Sequence, residues 1–175
     1  MKIAVKTYSS PVADLTLASL NNKMIRLEIN YTRNKLQQEL AEQNETTSFT
    51  TDSKAIDNCM LWLDRYFSKQ NPIEYPPFAL SGTKFQKKVW QKLASIPFGT
   101  VITYGELAKS IGCKSARPIG GAVGKNPLTI LLPCHRVISA NMQLGGFSCG
   151  TKFKIKLLEH EGFKLDPLSK KLYKY

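Results

Sequence analysis

Histidine and cysteine are scarce in this chain, and their spacing excludes a common kind of site. The 175 residues include only two histidines and four cysteines. No two cysteines show the C-x-x-C spacing, and the only cysteine that adjoins a histidine is Cys134, next to His135. Because zinc sites are usually built from such local ligand pairs, we expect no bound metal.

Long apolar runs are also lacking. No uninterrupted run approaches the roughly 20 residues that a membrane-spanning helix needs. The first ten residues do not resemble a secretion signal, because Lys6 and the pair Ser9-Ser10 interrupt their apolar side chains. The sequence therefore predicts a protein without membrane association. Its cysteines are expected to stay thiols in a reducing compartment, either the cytoplasm or, in a eukaryote, the nucleus.

Acidic residues are scarce in the second part of the chain. Residues 1–77 carry nine basic and nine acidic side chains, whereas residues 78–175 carry sixteen basic and four acidic ones. The whole net charge of +12 therefore lies in the second part. Such asymmetry favours a polyanionic partner, with nucleic acid as the first candidate. Lysines that only keep a small domain soluble would give the same pattern.

The first part has the pattern of a small α/β domain. Its first thirty residues partly alternate between apolar and polar side chains, as β-strands do. Asn21-Asn22 lies between two such segments and suits a tight hairpin turn, which predicts an antiparallel sheet. Residues 31–50 are polar and rich in Gln, Glu and Thr, and they predict a helix followed by a loop.

A second helix and a proline-rich linker follow. Apolar residues recur at helical spacing between residues 52 and 70, and Asp52 is the predicted N-cap. Residues 71–80 contain three prolines, which favour an extended linker. We therefore predict an α/β (α+β) protein of two domains. A small N-terminal α/β domain spans residues 1–77, and a mainly helical domain spans residues 78–175.

Short helices with clear capping signals are predicted in the second domain. Thr83–Gln86 and Thr103–Glu106 both have the capping-box pattern, and the helix after the second one ends near Gly112. Ser115 is the predicted N-cap of the next helix. Two short helices joined by a tight turn that contains glycine are typical of a helix-turn-helix motif. Ordinary helical hairpins have the same pattern and are more common.

The second helix of this pair is rich in glycine. Gly120, Gly121 and Gly124 each cost the helix roughly 0.5–1 kcal/mol relative to alanine. A helix with this composition presents a smooth face, which suits close approach to a nucleic-acid backbone or to a neighbouring helix. Arg117 is expected near the exposed N-terminal end of the helix, where it would reach a partner.

A reactive dipeptide, Cys134-His135, follows Pro133 in an apolar segment. A thiolate attacks saturated carbon well, an imidazole can take up the thiol proton, and a carboxylate can orient the imidazole. The candidate carboxylate is Glu161, which precedes Gly162 at the predicted end of a helix and opposes the helix dipole there. Two plainer interpretations stay open, namely an inert buried Cys134 and an ordinary surface Glu161.

The motif LLPCHRVIS, with NP before it and GGFS after it, closely resembles the active-site signature of the O6-alkylguanine-DNA alkyltransferases. The resemblance extends from about Phe85 to Gly162. It implies a winged helix-turn-helix-like catalytic domain preceded by the family's variable, ribonuclease-H-like α/β domain. It also implies stoichiometric repair of O6-alkylguanine in double-stranded DNA by a monomer that needs no cofactor. Whether O4-alkylthymine is a further substrate stays open.

The resemblance assigns four residues to the reaction. Cys134 would be the nucleophile and the permanent alkyl acceptor. His135 would deprotonate Cys134 through a bridging water, and Glu161 would orient His135. Asn126 would brace the turn that shapes the active site.

The resemblance also implies residues that handle the DNA and the flipped base. Tyr104 would press on the DNA backbone to rotate the target nucleotide outward, and Arg117 would enter the helix stack in its place. Ser148 would lie beside the guanine oxygen, and Val137 would line the pocket. The other implied positions are Ser115, Gly120, Gly121 and Lys125 for DNA contact, and Phe147 and Pro133 for the base pocket.

Two positions depart from the residues that are common in the family. Phe147 stands where several members have tyrosine. Cys149 stands where glycine is frequent, and its bulk is expected to narrow the pocket against large adducts. Two rival functions are a lesion-binding protein without enzymatic activity and a cysteine hydrolase. The first would lack the acceptor that Cys134 supplies, and the second would need an oxyanion hole that nothing in the sequence indicates.

Overall fold

The computed structural model describes residues 1–43, 46–70 and 74–174, so that residues 71–73 of the proline-rich segment lie outside the described residues. The chain divides into two compact units, Met1–Ser81 and Gly82–Tyr175. None of the helices in the described ranges is both long enough and apolar enough to cross a membrane.

The first unit is built on a four-stranded sheet with the order β3-β2-β1-β4. Its strands are β1 (Lys2–Ser9), β2 (Asp14–Leu20), β3 (Lys23–Ile29) and β4 (Ser48–Thr50). The first three strands are antiparallel neighbours, as predicted. Asn21 and Asn22 have φ angles of 49° and 55°, the left-handed conformations that a two-residue hairpin turn of this kind requires. The sequence prediction of the turn is therefore confirmed.

The short strand β4 was not predicted, because residues 31–50 were expected to end in a loop. Its residues pair with β1 in parallel, with Ile3 opposite Phe49. The strand has three residues and no fully buried side chain, so it lacks the alternation that marks a strand in the sequence. The sheet is thus antiparallel except at this edge.

Two helices complete the first unit, α1 (Arg33–Glu42) and α2 (Lys54–Phe67). The predicted N-cap Asp52 is wrong by one residue, because Ser53 caps α2 with its hydroxyl accepting from the Ile56 N–H at 3.3 Å. The Ser53 hydroxyl is also 2.6 Å from that of Ser19 on β2. This second contact ties the start of the helix to the sheet, which local capping preference could not reveal.

The second unit is mainly helical, as predicted. Its helices are α3 (Lys84–Ala94), α4 (Tyr104–Ser110), α5 (Arg117–Gly124) and α6 (Thr151–His160). Four short strands form two pairs. One pair is parallel and consists of β5 (Ile102–Thr103) and β6 (Val137–Ile138). The other is antiparallel and consists of β7 (Phe163–Leu165) and β8 (Leu172–Lys174). Both predicted capping boxes are present at the starts of α3 and α4.

The helices α4 and α5 form the predicted helix-turn-helix pair. Gly112 follows α4 with a φ of 71°, the left-handed position expected after its end. The predicted cap of α5 is wrong, because Ala116 rather than Ser115 is the N-cap residue. The Ser115 hydroxyl still accepts from the Arg117 N–H at 3.3 Å. On its inner side α5 packs on α3, where the Trp90 indole donates to the carbonyl of Ala122 at 2.8 Å.

Parallel pairing of β5 with β6 positions the reactive segment. Ile102 pairs with Val137, and Thr103 pairs with Ile138. A single 3-10 turn, Cys134–Arg136, leads directly into β6, while α4 begins immediately after β5. The start of the helix-turn-helix and the Cys134 turn are therefore held side by side.

Candidate active site

Cys134 is the first residue of its 3-10 turn and is only 2% exposed. The Asn126 side-chain amide donates to the Cys134 sulfur at 3.1 Å and to the Leu132 carbonyl at 2.7 Å. The Asn126 side-chain oxygen accepts from the Leu128 N–H at 3.0 Å. One buried asparagine thus closes the turn that leads to the thiol and also contacts the sulfur itself.

Burial raises the pKa of the Cys134 thiol to about 12, although the hydrogen bond from Asn126 and the charge of Lys154 act in the opposite direction. At neutral pH the resting group is therefore a thiol rather than a thiolate. Since the thiolate is the attacking form, the site needs a base for the thiol proton.

His135, next along the turn, is fully buried and is held by a carboxylate. Its Nε2 lies 2.7 Å from Glu161 Oε1. Burial lowers the pKa of the His135 ring below its usual range, even though Glu161 favours the protonated form. In the neutral ring, an Nε2–H that donates to Glu161 leaves Nδ1 as the basic nitrogen. The ring can then accept a proton while Glu161 stabilises the imidazolium that forms.

Glu161 is buried, only 3% exposed, and this overturns the interpretation of an ordinary surface glutamate. The guanidinium of Arg136 donates to both of its oxygens at 2.9 to 3.1 Å, and the backbone N–H of Gly99 donates to Oε2 at 3.0 Å. Burial alone would raise the pKa of the Glu161 carboxyl, but His135 and Arg136 together hold it well below its usual range. The carboxylate is thus charged and fixed behind the histidine.

Arg136 and Gly99 were not among the predicted site residues. Arg136 also donates to the Ile96 carbonyl at 2.5 Å, so its guanidinium is satisfied from two sides. A signal was available, because an arginine next to the buried dipeptide Cys134-His135 needs an anionic partner if it is buried too. Gly99 contributes only its backbone, which no side-chain pattern can indicate.

A cavity of about 210 Å³ opens beside the thiol. Its lining residues come from both helices of the helix-turn-helix pair, from the Cys134 turn and from the loop before α6: Tyr104, Gly120, Val123, Gly124, Cys134, Gly146, Phe147 and Ser148. Two of these lining residues contact each other, since the Tyr104 hydroxyl lies 3.5 Å from the Gly146 carbonyl oxygen. The sulfur is thus reached from a small pocket that adjoins the glycine-rich helix.

The predicted pocket residues do not all line this cavity. Phe147 and Ser148 do, whereas Pro133 and Val137 are buried and are not among the lining residues. The carbonyl of Val137 accepts from the buried ammonium of Lys154 at 2.6 Å. Cys149 was expected to narrow the pocket, but its sulfur lies 3.8 Å from the Thr129 hydroxyl and it is not a lining residue either.

The predicted DNA-contacting residues mostly lie on open surface. Ser115, Arg117, Gly121 and Lys125 are exposed, and Gly120 is half-buried at the cavity. A Cβ added at Gly120, Gly121 or Gly124 would meet no atom within 4 Å. Packing within the protein therefore does not require glycine at these positions. This excludes the alternative that the glycines allow close packing against a neighbouring helix.

No group of three or more His, Cys, Asp or Glu side chains in residues 1–43, 46–70 and 74–174 is arranged to hold a metal ion. All four cysteines are free thiols. The reactive groups that the structure brings together at the site are the Cys134 thiol and the His135 imidazole, with the buried ion pairs of Glu161 behind them.

The fold and the site define a protein that presents a buried cysteine thiol, next to a histidine paired with a carboxylate, beside a helix-turn-helix. Residues 84–163 match the family model described as 6-O-methylguanine DNA methyltransferase, DNA binding domain. The methylated-DNA–protein-cysteine methyltransferase of Mycobacterium tuberculosis is 36% identical over 160 residues, which cover 91% of this chain and 92% of the relative. The Saccharomyces cerevisiae protein of the same name is 33% identical over 166 residues, which cover 90% and 86%.

Solved structures agree with these relatives. The Mycobacterium tuberculosis O6-methylguanine methyltransferase is similar with a TM-score of 0.77 and 34% identity, over 91% of this chain and 92% of that one. Mycobacterium tuberculosis OGT in complex with DNA is similar with a TM-score of 0.76 and 33% identity, over 92% of each chain. The chain belongs to the methylated-DNA–protein-cysteine methyltransferase family, DNA-repair enzymes that transfer an alkyl group from DNA to a cysteine of the protein.

Proposed function

We propose that Cys134 is the acceptor cysteine and that the substrate is O6-alkylguanine in double-stranded DNA. The observation that carries this proposal is the position of the Cys134 thiol, which lines the small cavity while its neighbour His135 is paired with Glu161. In the transfer, a bond forms between the Cys134 sulfur and the alkyl carbon, and the bond from that carbon to guanine O6 breaks. The guanine ends with a proton in place of the alkyl group, and the proton that leaves the thiol balances this gain.

The proton of the thiol goes to His135 through a bridging water. Its uptake turns the neutral ring into an imidazolium next to the Glu161 carboxylate at 2.7 Å, which stabilises the new charge. Arg136 and the Gly99 N–H keep that carboxylate in place. Since a thioether is not readily hydrolysed, each protein molecule reacts once.

DNA binding is assigned to the surface around α5. Arg117, Gly121 and Lys125 are exposed there, and the open space over the glycines lets a nucleic-acid backbone approach closely. The excess of basic residues after residue 77 supplies attraction to phosphates that does not depend on sequence. A relative from Mycobacterium tuberculosis was solved in complex with DNA, which supports DNA as the partner of this chain.

The cavity suits a single flipped base. Guanine O6 lies inside the duplex, so the nucleotide must rotate outward at a cost of a few kcal/mol before the sulfur can reach it. At about 210 Å³ the cavity is smaller than the roughly 300–1,000 Å³ of pockets for drug-sized ligands. Tyr104 at its rim would press on the backbone of the target nucleotide, Arg117 would fill the gap in the stack, and Ser148 would face the guanine oxygen.

We further propose that the protein acts as a monomer in the cytoplasm, or in the nucleus of a eukaryote. The four free thiols support a reducing compartment. We also propose that the chain has two domains with a boundary at residues 77/78, four residues before the boundary between the two compact units.

The test of the proposed acceptor is Cys134→Ser, compared with Cys113→Ser, which changes a half-exposed cysteine near the helix-turn-helix turn. With duplex DNA that carries labelled O6-methylguanine, Cys134→Ser should transfer no label but should bind the DNA as the unmodified protein does. The Cys113→Ser protein should keep full transfer. Label on the Cys134→Ser protein would contradict the assignment.

A further inference from the structure

Gly99 is buried although its neighbours Phe98 and Thr100 are exposed. It has a φ of 67°, in the left-handed region that favours glycine. Its N–H donates to Glu161 Oε2 at 3.0 Å, and its carbonyl accepts from the Lys174 ammonium at 2.9 Å. Both backbone polar groups of Gly99 are thus paired with side chains, one with the buried carboxylate and the other with a lysine of β8.

The carbonyl of Gly99 depends on Lys174 for its hydrogen bond. Within residues 1–43, 46–70 and 74–174 no other donor reaches this oxygen. A buried carbonyl without a partner is destabilising, and a loop relieves this by turning the group toward water. Because the N–H of Gly99 belongs to the adjoining peptide group, such a movement of the carbonyl would also draw the N–H away from Glu161.

The β7–β8 hairpin holds Lys174 in this place. Lys174 is opposite Phe163 in the antiparallel pair, and its ammonium lies 5.8 Å from the centre of the Phe163 ring. Within about 6 Å a cation is attracted to the face of an aromatic ring. Phe163 and Leu172 are both buried and anchor the hairpin in a cluster with Ile138 of β6. The lysine therefore extends from a strand that the core of the second unit fixes.

We propose that Lys174 is a positioning residue for the alkyl transfer, which keeps the Gly99 N–H on the Glu161 carboxylate and thereby helps to fix the group that orients His135. The inference rests on the proposed function, in which His135 takes up the proton of the Cys134 thiol. It assigns a part in the reaction to a hairpin that contributes no residue to the lining of the cavity beside the thiol.

The charge balance around His135 gives the expected effect. The Gly99 N–H and the Arg136 guanidinium both withdraw negative charge from the Glu161 carboxylate. Without the Gly99 N–H the carboxylate attracts the imidazolium of His135 more strongly, so that the pKa of His135 rises. Removing the positive charge of Lys174 acts in the same direction. The titratable and charged groups near the ring are Cys134, Arg136, Lys154, His160, Glu161 and Lys174.

The experiment compares three substitutions in the full chain. Lys174→Met removes the donor, Lys174→Arg keeps a donor, and Lys171→Met removes the same charge from an exposed position next to β8. Since Lys174 is itself exposed, all three proteins should fold. Single-turnover rates with duplex DNA that contains O6-methylguanine are measured from about pH 5 to about pH 8. Saturating concentrations of DNA keep changes in phosphate attraction out of the rate.

In the Lys174→Met protein the midpoint of the fall in rate on acidification should lie about 0.5 pH unit higher, which lowers the rate about threefold on the acidic side. Lys174→Arg should restore the midpoint, and Lys171→Met should leave it unchanged. Hydrogen–deuterium exchange gives an independent measurement. The amide of Gly99 should exchange faster in the Lys174→Met protein, while the amides in the core of α3 stay unchanged.

A midpoint that stays in place in the Lys174→Met protein, or that moves equally in the Lys171→Met protein, would overturn the inference. Unchanged exchange of the Gly99 amide would do the same, as would a loss of stability without a shift of the midpoint. Failure of the proposed function would look different, since the unmodified protein would then transfer no alkyl group to Cys134 at any pH.

Discussion

Replacing Glu161 by glutamine should separate the charge of the buried carboxylate from its shape. Glutamine keeps nearly the same volume, but the guanidinium of Arg136, only 4% exposed, would lose its anionic partner. Removing one partner of a buried ion pair typically costs about 3–5 kcal/mol, because the other charge stays buried. We therefore expect Glu161→Gln to lower the free energy of unfolding by about this amount at pH 7.

The dependence of the free energy of unfolding on pH in the acidic range gives a second test of the same variant. The pKa of Glu161 is held well below its usual range in the folded protein, so folding favours the charged form. The stability that this carboxylate contributes is complete above its unfolded pKa of about 4.3 and is lost as the pH falls below that value. Because glutamine does not titrate, the free energy of unfolding of the Glu161→Gln protein should fall less on acidification than that of the unmodified protein.

Activity should fall further than stability explains. A neutral glutamine cannot stabilise the imidazolium of His135, and general base catalysis is typically worth about 10²–10⁴ in rate. We expect transfer to be at least about a hundredfold slower in protein that is still folded.

Urea unfolding of the full chain, followed by circular dichroism, measures the stability, and Glu159→Gln is the matched control because Glu159 is exposed on the same helix. If the free energy of unfolding fell by less than about 1 kcal/mol and alkyl transfer were unimpaired, the Glu161 carboxylate would not be the group that stabilises the charges of both Arg136 and His135.

Three further expectations concern the DNA-facing surface and the base. Arg117→Ala should slow repair of duplex DNA more than repair of the free base, because Arg117 acts only on the stack; single-turnover rates that fall equally on both substrates would contradict this role. Gly121→Ala should stabilise α5 by roughly 0.5–1 kcal/mol, since a Cβ there meets nothing within 4 Å, yet it should weaken DNA binding. Unchanged binding in a titration would place the DNA elsewhere. The transfer rate should stay constant from about pH 8 down to about 6.5 and fall only at lower pH. The reason is that burial lowers the pKa of His135 and that the ring accepts a proton only when it is neutral. A decline in rate that is already complete at about pH 6.5 would exclude His135 as the base.

The adjacency of Cys134 and His135 and the local rule that Glu161 breaks made these residues candidates, but it was the resemblance to the alkyltransferases that assigned their roles. A negative charge at the end of α6 opposes the helix dipole, and the structure shows that Arg136 and His135 offset this cost. The helix-turn-helix pair was also predictable from local preferences. The capping box Thr103–Glu106 marks the start of its first helix, and Gly112, with its positive φ, marks the beginning of its turn.

Contacts that depend on tertiary neighbours could not be predicted. Lys154 is one of fourteen lysines after residue 77, and only the folded chain distinguishes it by burial. The strand β4 owes its conformation to pairing with β1 rather than to its own composition. The role of the α5 glycines likewise could not be decided from the sequence, which fits both close packing on another helix and an open surface. Only the positions of the surrounding atoms show that the space over these glycines is open.

Mass spectrometry of the protein after incubation with duplex DNA that contains O6-methylguanine tests the central claim most directly. We predict one added methylene mass per protein molecule, saturating at one and located on the peptide that contains Cys134. A protein of unchanged mass that still binds the lesion, or a methyl group on Cys59, Cys113 or Cys149, would contradict the assignment of Cys134 as the acceptor.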